Sequence, residues 1–141
     1  MSYVQAILLP VFLHFLLVNI VGVRMGRARF ISVRSGETKR ADIVLDSRKW
    51  PDRLRQISNN FDNQFQAPMA WYACIAFLLV TGFVDKIQVI LAFGFLLSRV
   101  VHSFIHVTTN KLPDRFYAFM AGLVCLGAMW AWFALRLYVI G

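Results

Sequence analysis

Four stretches of this chain are long enough and apolar enough to cross a lipid bilayer, and that constrains everything else about it. Residues 3–23 and 64–84 carry no formal charge; a third run covers 87–107 and a fourth 116–135. About 20 such residues span the hydrocarbon as a helix, in which the backbone polar groups satisfy one another. Composition agrees: the chain is 59 % hydrophobic and 16 % charged, where a soluble domain has about 45–50 % and about 25 %. The expected fold is all-α, an integral-membrane, antiparallel four-helix bundle forming one domain over residues 1–141. Its spans are expected at about 3–23, 51–84 (membrane part 64–84), 87–107 and 113–136, with a connection over 24–50. The first run is not expected to be a cleaved signal peptide. No basic residue precedes it, it is long, and no small-x-small site follows.

The net charge of +8 is unevenly spread. Ten Lys/Arg fall between Arg24 and Arg55, against Glu37, Asp42, Asp46 and Asp52. The positive-inside bias puts this connection in the cytoplasm, together with the one at 110–115, and both termini on the opposite side. Juxtamembrane basic residues fix topology and attract anionic lipid, so no nucleic-acid partner is expected. Arg24, Arg27 and Arg29 read as snorkelling anchors, with inward binding of an anion as the alternative. Cys74 and Cys125 sit inside spans without a ligand partner at short spacing, and no disulfide is expected.

Polar residues interrupt the apolar pattern at one end of three helices. Trp50-Pro51-Asp52 reads as a helix start, so the second helix begins well before its apolar part. On a continuous helix Arg55, Asn59, Asn63 and Gln66 share one face, with Asp62 beside them. In the third helix Arg99, His102, His106 and Asn110 do the same. His102 and His106 have i, i+4 metal-ligand spacing, but nothing on the stripe completes a set, so no metal is expected. The fourth helix opens KLPDRF, with Arg115 near a helix N-terminus that already favours anions. Such groups are costly in a membrane unless they face a bundle interior or a wet cavity. One reading is hydrogen bonding between helices; the other is a wet cleft at the cytoplasmic membrane face that takes an anionic ligand.

These features resemble the membrane-associated proteins in eicosanoid and glutathione metabolism, the MAPEG family, and look most like its bacterial branch. The resemblance rests on size, four spans, the basic connection after VRMGRARF, and Asn63-Gln64-Phe65-Gln66-Ala67-Pro68 where the family has Asn, then Glu, then Pro. It rests also on Arg99, His102 and His106 in the third helix, and on Arg115 soon after a proline. It implies a homotrimer in a bacterial cytoplasmic membrane, with glutathione as co-substrate between subunits. Arg55, Asn59, Asp62, Asn63, Gln66, Arg99, His102 and His106 would bind substrate. Arg115 would be catalytic, stabilising a thiolate that attacks a lipophilic electrophile or hydroperoxide. The sequence departs from the family at Gln66, which replaces the Glu placed to meet the glutathione ammonium, at His106 for a Tyr, and at Phe116 for a hydroxyl residue. Asp62 is the nearest carboxylate that could stand in. A non-catalytic protein holding an anionic lipid or fatty acid in the same cleft is the alternative. A proton-coupled exporter ranks last, because no span carries a central carboxylate.

Overall fold

A computed structural model describes residues 2–140. Its elements are α1 (Tyr3–Arg34), α2 (Arg40–Ile43), α3 (Asp52–Asp62), α4 (Ala67–Thr81), α5 (Lys86–Val107) and α6 (Leu112–Leu135). Short 3-10 turns cover Ser47–Lys49 and Asn63–Phe65, and α6 runs on into a π-helical turn over Arg136–Ile140. There is no strand among the described residues. Four helical stretches are long and apolar enough to cross a membrane: Tyr3–Arg34, Asp52–Thr81, Lys86–Val107 and Leu112–Ile140.

Local chemistry sets the ends of these helices. Ser2 and Gln5 form a capping box at the start of α1. Gly82 ends α4 with φ 74°, a left-handed cap open to glycine without strain. Asp85 caps α5 through the Gln88 N–H at 2.9 Å. Its other oxygen accepts from Trp132 Nε1 at 2.8 Å and from Arg136 at 2.9 Å, which ties the α4–α5 turn to the end of α6.

Two expectations are corrected. The first helix does not stop with its expected span near Val23; it runs on through the first part of the 24–50 connection to Arg34. The basic extension has something to pack against, because Arg29 donates to Ser58 Oγ at 2.8 Å and lies over the Trp50 ring. The second span is not one helix over 51–84 either. It breaks at 63–66, where Gln66 takes φ −88°, ψ −100°. Pro68 sits in the first turn of α4, lacks an N–H for the carbonyl four residues back, and restricts the residue before it.

The interior is divided by depth. Toward the termini it is apolar: Trp71 stacks on Phe95 with centroids 5.0 Å apart, surrounded by Ile7, Leu78, Met129 and Phe133. Toward the basic connection it is polar, with Asn60, Gln64, Arg99, His102, Ser103 and His106 all buried. His14 lies at the boundary, its Nδ1 2.6 Å from the Tyr72 hydroxyl.

Helices α5 and α6 pack through reciprocal small residues. Gly122 of α6 faces Ser98 and Phe95, while Gly94 of α5 faces Cys125. A Cβ at Gly122 would collide with Ser98 Oγ, whereas one at Gly127 meets nothing within 4 Å. Close backbone approach of this kind holds membrane helices together where no hydrophobic force acts between them. Gly122→Val is therefore expected to destabilise the protein by about 1–3 kcal/mol through overpacking. Gly127→Ala should leave it unchanged or slightly stabler; thermal unfolding in detergent followed by circular dichroism compares the two.

Candidate functional site

The break in the second span places its polar residues. Of residues 52–62, Leu54, Ile57 and Phe61 are the apolar ones, and they fix which side of α3 faces the bundle. At about 100° per residue, Asn60 and Gln64 fall beside that stripe, and Arg55 and Asn59 fall well away from it. The side chains follow this geometry. Asn60 Nδ2 donates to Ser103 Oγ at 2.9 Å, and Gln64 Nε2 donates to the Asn60 carbonyl oxygen at 3.1 Å. Gln56 Nε2 donates to the His106 carbonyl oxygen at 2.6 Å. The Asn60 and Gln56 amides bind helix to helix, Gln64 bonds back within the second span, and the sequence reading placed none of the three in the site.

The residues singled out in the sequence divide into two groups. Asn63, Gln66, His102 and Arg115 line one open pocket of about 210 Å³, with Leu112, Phe116 and Phe119. Arg99 and His106 stand behind it. Arg99 is 1 % exposed, donates to the Asn63 carbonyl oxygen at 2.9 Å and lies 5.8 Å from the centre of the Phe119 ring. The His106 ring packs edge-on against His102 with centroids 5.7 Å apart. Arg55, Asn59 and Asp62 are exposed on α3 and do not line this pocket. Arg55 pairs with Asp52 at 3.0 Å on the surface, an interaction worth little. The single shared face for Arg55, Asn59, Asn63 and Gln66 is thus corrected, because the 3-10 turn separates α3 from α4.

Arg115 is held by local structure. Asn110 closes the end of α5 in a left-handed conformation, φ 50°, which Asn tolerates better than most residues. Its side-chain oxygen accepts from Arg115 at 2.7 Å. Arg115 Nε is buried without a partner among the described residues, as are Arg99 Nε, His102 Nδ1 and both ring nitrogens of His106. The pocket wall therefore carries one guanidinium group and one imidazole, with a second of each buried behind it, and unused hydrogen-bond capacity. No carboxylate among the described residues lines it.

The chain matches the family model of the MAPEG family over residues 7–135. It belongs to the MAPEG family. The MAPEG match covers both the apolar spans and the polar half of the bundle, and makes this a multi-pass membrane protein of the family in glutathione and eicosanoid metabolism. Among curated proteins and among solved structures no significant match was found.

Neighbouring residues give an internal comparison. Asn60→Ala is expected to destabilise by about 1–3 kcal/mol, since it leaves buried Ser103 without the Asn60 amide that bonds it. Asn59→Ala, one residue away and exposed, should stay within roughly 0.5 kcal/mol of wild type. Equal effects of the two in thermal unfolding would contradict the assignment of the buried face.

Proposed function

We propose that this chain is a membrane-bound transferase or peroxidase that uses glutathione or a related thiol against lipophilic electrophiles or hydroperoxides. The observation that carries the reading is the convergence of Asn63, Gln66, His102 and Arg115 on one pocket, backed by buried Arg99 and His106. In this reading the Arg115 guanidinium, near the positive end of α6, lowers the pKa of a bound thiol so that thiolate forms at neutral pH. The sulfur then attacks the electrophile, an S–C bond forms, and the leaving group departs with its electron pair. With a hydroperoxide the sulfur takes the distal oxygen, the O–O bond breaks, and the alcohol leaves after protonation. A second thiol then releases disulfide and water.

The same reading includes a homotrimer. A pocket of about 210 Å³ falls below the range of roughly 300–1,000 Å³ usual for small-molecule sites, so a second copy completes the wall. Arg55, Asn59 and Asp62 stand exposed where a neighbouring subunit could meet them. The basic connection lies on the cytoplasmic side of a bacterial inner membrane by the positive-inside bias, and both termini lie opposite. The lipophilic substrate enters from the bilayer.

The second reading, a non-catalytic site for an anionic lipid or fatty acid in the same cleft, is favoured by one feature. With Gln66 in place of Glu, and Asp62 outside the pocket, no carboxylate is present there to meet an ammonium group. Calorimetry and ultraviolet thiolate absorbance on the purified protein separate the two. The catalytic reading expects saturable glutathione binding and a thiolate signal that Arg115→Ala abolishes. It also expects tighter binding in Gln66→Glu, roughly fivefold to tenfold from a charge-assisted contact. No thiol binding, together with retention of an acidic lipid, would establish the second reading in its place.

A further inference from the structure

The thiol pocket is uncompensated in charge. Arg115 stands in its wall and Arg99 is buried behind it. The four ion pairs among the described residues involve neither of them. Arg99 is met by the Asn63 carbonyl oxygen and Arg115 by the Asn110 side-chain oxygen, both neutral acceptors. Each guanidinium also keeps a buried Nε without a partner among the described residues. Two positive charges with only neutral partners favour an anion, and they act more strongly where protein and lipid exclude water.

The same field works against a cation. A free ammonium group in this pocket would add a further positive charge, with nothing acidic in the wall to meet it. Asp62 and Asp114 adjoin the pocket residues Asn63 and Arg115 in sequence, yet both are exposed and neither lines the pocket. Asp52 is held by Arg55 at 3.0 Å. Gln66 stands in the wall with a carboxamide, which offers an acceptor oxygen and an NH2 donor but no charge. That pair complements an amide: the Gln66 oxygen accepts from an amide N–H, and its NH2 donates to an amide carbonyl. Repulsion of a wrong ligand gives specificity as well as attraction of the right one does.

We infer that the thiol taken by this pocket is an anionic one without a free ammonium group, its amine capped as an amide that Gln66 meets. Gln66 is then the residue that sets which thiol is used. The inference rests on the thiol reading given above and narrows it.

Glutathione and N-acetylglutathione differ only at this nitrogen, so calorimetry with both on the full chain, purified in detergent at neutral pH, reads it directly. N-acetylglutathione is expected to bind wild type about tenfold more tightly. In Q66E the order should reverse, with glutathione gaining and N-acetylglutathione losing affinity. Gln66 is exposed, so the substitution does not disturb the packed interior. Glutathione binding as tightly as its acetylated form, or the same order in wild type and Q66E, would overturn the inference while leaving the thiol reading in place. A preference for glutathione that D62N or D114N removes would also overturn it, and would put that carboxylate, from this chain or a neighbouring copy, against the ammonium. If neither thiol binds, the thiol reading falls and the inference falls with it.

Discussion

A buried arginine without a carboxylate is the constraint on which the polar half of this bundle depends. Arg99 sits inside a membrane helix, almost wholly removed from solvent. A guanidinium in that position is costly unless other groups take its hydrogen bonds. One bond goes to the Asn63 carbonyl oxygen. In an unbroken helix that oxygen would accept from the Ala67 N–H. It is free because the second span breaks ahead of Pro68 and is rebuilt as a new helix from Ala67. The break and the buried charge therefore sustain each other, and the geometry that results presents Asn63 and Gln66 toward His102 and Arg115.

The fold was largely legible in the sequence, and for a plain reason. Backbone polar groups cannot go unsatisfied in lipid, so apolar runs of this length have few alternatives to helix. The short turns at Asp85 and at Asn110 then leave α5 and α6 little choice but to pack antiparallel. The ends of the elements were harder to read. Nothing in residues 3–23 says that the helix continues to Arg34, because that continuation is stabilised by Arg29 reaching Ser58 and Trp50 from a distant part of the chain.

The site was legible in part. The residue types were found, and so was their clustering at one end of the bundle. The face of α3 was misjudged because Arg55, Asn59, Asn63 and Gln66 were placed on a continuous helix. Leu54, Ile57 and Phe61 carried the missing signal: they mark the buried side, and Asn60 and Gln64 lie nearer to it than Arg55 and Asn59 do. Pro68 carried the other, since a proline four residues after a glutamine leaves that carbonyl unpaired. Asn60 and Gln56, which the sequence reading did not single out, join helices, while Asn63, Gln66, His102 and Arg115 line one pocket.

Amide hydrogen exchange on an Arg99→Met variant tests the coupling between the buried charge and the break most directly. The substitution removes the bond to Asn63 while keeping an apolar side chain of similar length, so overall stability need not fall. The account expects exchange at residues 63–67 to accelerate about tenfold, with the amides of α6 still protected. Unchanged exchange through the break would contradict it, and would mean that Pro68 alone shapes this part of the chain.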